Sequence, residues 1–180
     1  NVLTPERRLD VRVFLSKIAD STSPLEINVQ FKDGEKLIAE QNRKILFPTD
    51  KPNDFTFEKL GDIELWDISQ PRLYNVRVTL LNNGRLFDSF ETRVGFREAK
   101  FTPDGFFLNG KPLKLRGLNR HQTYPFIGQA APARLQKRDA WILRRELKCN
   151  IVRTSHYPQS PHFLDGCDEY GLLVLEEIPG

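Results

Sequence analysis

The feature that most constrains this chain is the stretch Asn150-Ile151-Val152-Arg153-Thr154-Ser155-His156-Tyr157-Pro158, a β-branched run that stops abruptly in polar groups. Two flanking segments repeat the form: Leu113 to His121, ending Asn119-Arg120-His121, and Leu172 to Glu177, ending Glu176-Glu177. Helical patterns separate them. Short apolar strands alternating with helices mark a parallel sheet buried on both faces. In such sheets, above all in (β/α)8 barrels, chemistry collects at the carboxyl ends of the strands. All three strand ends here carry ionisable or hydrogen-bonding side chains, so function is expected there.

The intervening segments support this order. Asn109-Gly110, between Phe106-Phe107-Leu108 and Lys111-Pro112-Leu113, is a strong hairpin signal, and this hairpin is expected to plug the bottom of the strand-and-helix unit after it. Pro132 suits a first helical turn, and Leu135, Ile142, Leu143 and Leu147 then fall on one helical stripe. Arg134, Lys137, Arg138, Arg144 and Arg145 are left for solvent. Ser160 is a candidate cap for the next helix, with Pro161 at its first position and Gly171 at its end. Three strands and two helices are the first part of a barrel that needs eight of each. An open doubly wound sheet is the alternative, weakened because no glycine-rich phosphate loop follows the first strand.

Residues 1 to about 98 follow a different rule. Arg8 to Lys17 alternates apolar and polar residues, as does Leu25 to Phe31, and Lys32 to Glu35 supplies a turn. Pro48 to Asp54 is expected to be a loop. Tyr74, Val76, Val78 and Leu80 share one face, and Asn82-Asn83-Gly84 closes a hairpin into Leu86 to Phe96. Strands at this spacing with one apolar face predict an immunoglobulin-like sandwich, built without the disulfide of antibody domains. The expected organisation is therefore a sandwich over 1–98 and the first part of a (β/α)8 barrel over 99–180. The sandwich is read mainly as a packing and spacing module. A binding face using Phe55, Phe57 or Trp66 is the sharper alternative, although their alternation with polar residues fits a core better.

Composition narrows the partners. At 28% charged and 39% apolar residues, the chain falls in the ordinary globular range. No apolar run approaches the roughly 20 residues that span a bilayer, so a membrane partner is not expected. A net charge of +3, with basic residues dispersed among acids, leaves no nucleic-acid footprint. Cys149 and Cys167 read as buried small hydrophobes and do not decide the compartment. The chain opens at Asn1 and contains no Met, so it is expected to be an excised or processed segment.

Leu118-Asn119-Arg120-His121, Val152-Arg153-Thr154-Ser155-His156-Tyr157-Pro158 and Asp168 to Glu177 resemble family 2 glycoside hydrolases, the β-galactosidase, β-glucuronidase and β-mannosidase group. Leu65-Trp66, Pro71 with Leu73-Tyr74, and Val94-Gly95-Phe96-Arg97-Glu98 are similar to that family's last sandwich strands leading into its barrel. Asn119-Arg120-His121-Gln122 is most similar to bacterial β-galactosidases. The resemblance implies a retaining β-glycosidase acting on terminal β-galactosides or related β-glycosides, with a carbohydrate as partner. It implies that His121, His156 and Asn119 bind sugar hydroxyls and stabilise an oxocarbenium-like transition state, and that Arg153 and Glu177 orient the nucleophile. The acid/base and nucleophile would come from later strands, beyond Gly180, so the segment alone is expected to be inactive. It would need the rest of its own barrel as partner. Homo-oligomerisation and a divalent or monovalent cation in the parent enzyme stay open, and the segment carries no identifiable cofactor motif.

Elementary geometry adds its own constraints. Arg153 lies three residues before His156, so strand alternation puts them on opposite sides unless the strand bends at its end. An Arg inside a barrel needs a carboxylate, and Glu177 or Glu176 as a bystander partner is the bland reading. Adjacent strand residues point apart, so Glu176 and Glu177 cannot be the two carboxylates that flank one glycosidic bond. At most one of them faces the lumen, with Glu177 favoured. His162, near a helix start, is expected in solvent. A metal-dependent barrel hydrolase using His121, His156 and Glu177 as ligands is the rival enzyme class, and an autonomous sandwich with a stub of barrel is the rival non-enzyme.

Overall fold

The computed structural model describes Leu3 and residues 7–16, 24–46 and 51–179. They divide into two compact units, one of Asn1–Glu64 with Leu73–Phe96, the other of Leu65–Arg72 with Arg97–Gly180.

The first unit is a sandwich. Its larger sheet has the order β3 (Lys36–Ile45), β2 (Leu25–Asp33), β5 (Tyr74–Asn82), β6 (Arg85–Val94), all antiparallel. A second sheet pairs β1 (Leu9–Val13) with β4 (Asn53–Phe57). In β2 the alternation is complete: Leu25, Ile27, Val29 and Phe31 are buried, and Glu26, Asn28 and Gln30 face outward. Each such side chain taken from water contributes about 1.5–3 kcal/mol. Phe31, Tyr74 and Phe96 meet in a cluster with ring centroids 5.4–6.0 Å apart. The Tyr74 hydroxyl accepts from the Glu64 amide at 2.8 Å, a tie of the tyrosine-corner kind found in immunoglobulin-like sandwiches.

Two sequence expectations change here. Residues 36–45 form a full strand that alternation did not reveal, because Lys36-Leu37-Ile38-Ala39-Glu40-Gln41-Asn42-Arg43-Lys44-Ile45 is an edge strand most of whose polar residues stand exposed. The loop after it ends earlier than expected, since Asn53 and Asp54 already pair with Val13 and Arg12 in β4 (positions 47–50 lie outside the described residues). Phe55, Phe57 and Trp66 are 1%, 4% and 1% exposed, so the aromatic binding face considered for them does not exist. They are core.

The second unit opens with an antiparallel sheet of β7 (Ala99–Thr102), β8 (Gly105–Leu108) and β9 (Lys111–Pro112). Asn109 and Gly110 at φ 51° and 75° make the tight turn between the last two, as the Asn-Gly pair predicts. Then come β10 (Gly117–Arg120), α1 (Ala133–Trp141), β11 (Ile151–Thr154), α2 (Pro161–Tyr170) and β12 (Leu173–Leu175). The three strands form a parallel sheet in the order β10-β11-β12, the β-α-β-α-β unit expected from the sequence. Ala140, Leu143, Cys149, Val152, Phe163, Cys167 and Leu172 form its core. The helices approach closely at Gly166, where an added Cβ would lie 3.1 Å from the Ala140 side chain.

The segment Leu65–Arg72 joins this unit through Trp66. Its indole donates to the Asp168 carbonyl at 2.8 Å, Asn109 donates to the Trp66 carbonyl at 3.0 Å, and Arg97 lies 4.9 Å over the ring. Arg144, expected in solvent, donates to the Ile68 carbonyl at 2.6 Å and is half-buried. Leu147, expected on the apolar stripe, is 54% exposed. The cause of both shifts is the π-helical turn Ile142–Glu146, which rotates the register after α1. Gln136 rather than Leu135 is the fully buried residue of the first turns. Ser160 occupies the N-cap of α2 but makes no side-chain capping bond; its amide is held by Gln122 instead. Gly171 ends α2 at φ 79°, with the Ile68 carbonyl oxygen only 2.4 Å from where a Cβ would sit.

Candidate functional site

The parallel register sets which side chains meet. Asn119 of β10 lies opposite Arg153 of β11, which lies opposite Leu175 of β12, so all three occupy one face. His121 follows β10 directly, His156 lies in the turn after β11, and Glu177 is two residues past β12. The C-terminal edge of the sheet therefore gathers the five residues singled out from the sequence, with exposed Asn119 in register with Arg153.

Glu177 is the centre of this group. One carboxylate oxygen accepts from Arg153 Nε, and the other lies 2.9 Å from His156 Nδ1. Arg153 Nη2 stands 3.5 Å from the same imidazole nitrogen. The His121 and His156 rings meet edge to face at 5.6 Å. Buried Thr154 fixes the backbone beneath: its hydroxyl accepts from the Glu177 amide at 3.0 Å and donates to the Leu175 carbonyl at 3.3 Å. Arg153 and His156 thus share a side despite their spacing. The ladder ends at Thr154, and His156 belongs to the following turn, where alternation no longer applies. Glu176 turns the other way and accepts from the Gln159 amide at 3.0 Å. His162 is exposed on the first turn of α2.

The electrostatics follow from these contacts. Partial burial pushes the Glu177 carboxyl upward, but the hydrogen bonds of Arg153 and His156 outweigh it and hold the group below the usual carboxylate range. A depressed folded value means that the contact stabilises the fold above the unfolded value, and that this contribution is lost as pH falls through the folded one. Carbon-detected titration of Glu177 should accordingly give a midpoint below the ordinary value of about 4.3. The His156 ring signal should move in the same step. A midpoint at or above the ordinary value would mean the Arg153 contact does not persist in solution.

A second polar cluster lies beneath the first, and sequence reasoning gave it no role. Arg120, 6% exposed at the end of β10, donates to Asp139 through Nε at 3.0 Å and Nη2 at 2.8 Å. Its Nη2 also reaches Tyr124 and Gln136, each at 2.7 Å, and its Nη1 donates to Gln159. The guanidinium stands 3.9 Å over the Phe163 ring. Burial, then the Asp139 carboxylate that its hydroxyl donates to, push the Tyr124 phenol up to about 12. The signal in the sequence was an Arg at the end of a strand expected to be buried, which demands a carboxylate somewhere.

Among the described residues no three His, Cys, Asp or Glu side chains gather into a metal-holding group. His156 and Glu177 are engaged with each other and with Arg153. The ligand trio considered from the sequence is not formed by these side chains.

A sandwich followed by β/α units with ionisable groups at their strand ends has the order of a β-domain leading into the first part of a barrel. Comparison with known proteins makes this specific. The family model described as glycosyl hydrolases family 2, TIM barrel domain, matches residues 100–180, and that described as glycosyl hydrolases family 2 matches residues 4–97. The β-galactosidase of Thermoanaerobacterium thermosulfurigenes is 48% identical over 177 residues, covering 97% of this chain and 25% of that protein. The β-galactosidase of Thermoanaerobacter pseudethanolicus is 56% identical over 123 residues, 68% of this chain and 17% of that protein. Among solved structures, Bacteroides uniformis β-glucuronidase superposes with a TM-score of 0.87 at 35% identity, covering 97% of this chain and 21% of that one. The chain belongs to glycoside hydrolase family 2 and spans about a quarter of the length of the T. thermosulfurigenes relative.

Proposed function

We propose that this chain is a segment of a retaining β-glycosidase of β-galactosidase type, supplying substrate-binding and transition-state-stabilising groups to a site completed by later strands. The observation that carries this reading is Glu177 held between Arg153 and His156, with His121 alongside, at the carboxyl ends of parallel strands. A barrel places its reacting centre at that edge. His121, His156 and Asn119 contact sugar hydroxyls, and a hydrogen bond that strengthens as charge develops at the anomeric carbon lowers the barrier. Arg153 and Glu177 orient the nucleophile, which with the acid/base lies outside this segment. The two adjacent glutamates cannot act as that pair, since their carboxylates serve different partners.

The β-galactosidase assignment rests on the identity to the T. thermosulfurigenes enzyme. A β-glucuronidase is the second reading, favoured by the likeness to the B. uniformis structure. Initial rates of the full-length enzyme on nitrophenyl β-galactoside and β-glucuronide decide between them. A higher kcat/KM on the glucuronide would overturn the first reading.

Arg153 tests the mechanism. A planar fork and a point charge are not interchangeable beside a carboxylate. Arg153→Lys in the full-length enzyme should therefore lower kcat and move the acidic limb of the pH–rate profile upward, because a carboxylate that loses its guanidinium becomes easier to protonate. An acidic limb that stays in place would leave Arg153 paired with Glu177 alone and remove it from the nucleophile.

A further inference from the structure

We propose that Arg120, Gln159 and Glu176 form one positioning relay beneath the strand ends, which sets the relative placement of His121, His156 and Glu177. The proposal rests on the glycosidase reading above and gives a role to groups that reading leaves unused. Its basis is an adjacency. Arg120 immediately precedes His121, Gln159 follows His156 by three residues, and Glu176 immediately precedes Glu177. Each site residue thus has a relay member next to it or three residues on in the chain; Arg120 and Gln159 are buried, and Glu176 is the exposed member.

The relay is continuous. The Arg120 guanidinium, anchored on Asp139 of α1, donates to the Gln159 side-chain oxygen. The Gln159 amide then donates to Glu176 at 3.0 Å, while its side-chain nitrogen donates to the Tyr157 carbonyl at 3.2 Å. The Arg120 carbonyl accepts from the Ser155 amide at 3.1 Å, tying the turn that bears His156 to the end of β10. Gln159 is 6% exposed, so this link runs through the interior and not through solvent. In a retaining site, misplacing a positioning group by about 1 Å can lower the rate on the order of a hundredfold. Arg120 touches no substrate in this scheme. It is a positioning residue.

Arg120 itself is deeply buried, and its substitution risks loss of the fold. Glu176 lies at the exposed end of the relay and tests it more cleanly. In the full-length enzyme, Glu176→Ala should lower kcat roughly tenfold to a hundredfold with KM within about twofold. Tm should stay near wild type. Glu176→Gln should restore most of the rate, because its side-chain oxygen still accepts from the Gln159 amide. In protein carrying 13C-labelled histidine, Glu176→Ala should move the His121 and His156 ring signals and leave that of His162 unchanged. Unmoved His121 and His156 signals would overturn the relay, whatever the rates. So would an equal loss in the Ala and Gln variants accompanied by a lower Tm, which is the mark of plain destabilisation. If the wild-type enzyme cleaves no aryl glycoside, the glycosidase reading fails on that result alone, and the histidine signals still decide the relay.

Discussion

Alanine in place of Gly117 should disrupt the parallel sheet more than any other single methyl group in the second unit. A Cβ at this position would lie 1.9 Å from the Ile151 carbonyl oxygen and 2.7 Å from its carbon. No rotamer change relieves this, because the obstacle is the backbone of the paired central strand. Strands β10 and β11 would have to part locally, stretching the ladder that runs from Gly117↔Ile151 to Arg120↔Thr154. Overpacking in a fixed interior is destabilising by about 1–3 kcal/mol, and a backbone obstacle belongs at the top of that range or beyond it. In a protein of this size or larger, about 3 kcal/mol corresponds to a fall in Tm of roughly 6–12 °C. Hydrogen exchange should report the opening at residues 117–120 first. A Gly117→Ala protein that melts with the wild type would show that the two strands do not approach as described.

His156→Ala should reduce kcat/KM by far more than it changes stability. The side chain is 60% exposed, so its removal leaves no cavity and exposes no core. Its ring nitrogen faces a Glu177 oxygen that would afterwards be met by water. Loss of one polar contact made in the transition state raises the barrier by roughly 2–4 kcal/mol, a thirtyfold to thousandfold effect on kcat/KM. Steady-state kinetics on aryl β-galactosides, with thermal melting as the control, measures both quantities. Kinetics indistinguishable from wild type would return His156 to a structural role in holding Glu177.

How far these expectations could be drawn from the sequence differs by element. The strand ends were legible because short apolar runs that stop in Asn119-Arg120-His121, Arg153 to His156 and Glu176-Glu177, with helical patterns between them, read as the strands of a parallel sheet. Strand β3 was not legible, because an edge strand exposed along most of its length has no reason to alternate. The end of the first helical segment was misjudged for a local reason. Arg144 and Leu147 follow a 3.6-residue period in the sequence, and the π-helical turn at Ile142–Glu146 breaks it. Trp66 illustrates the opposite case. Nothing around it in the chain predicts that its partners are Asn109 and Asp168, since both bonds close over long sequence separations.

The candidate site divides in the same way. By itself the sequence determined which residues stand at the carboxyl edge of the sheet, because periodicity and strand length set where each run of β structure stops. It also determined that Glu176 and Glu177 point apart, since that is a property of extended backbone. Only the tertiary structure decided that Arg153 and His156 converge on one carboxylate, because the turn after Thr154 carries His156 out of the alternation. It alone decided that Arg120 faces inward, where a guanidinium removed from water must find partners. Those partners, Asp139 and Gln159, come from a helix and a loop 19 and 39 residues away, and no local rule of chain geometry brings them together.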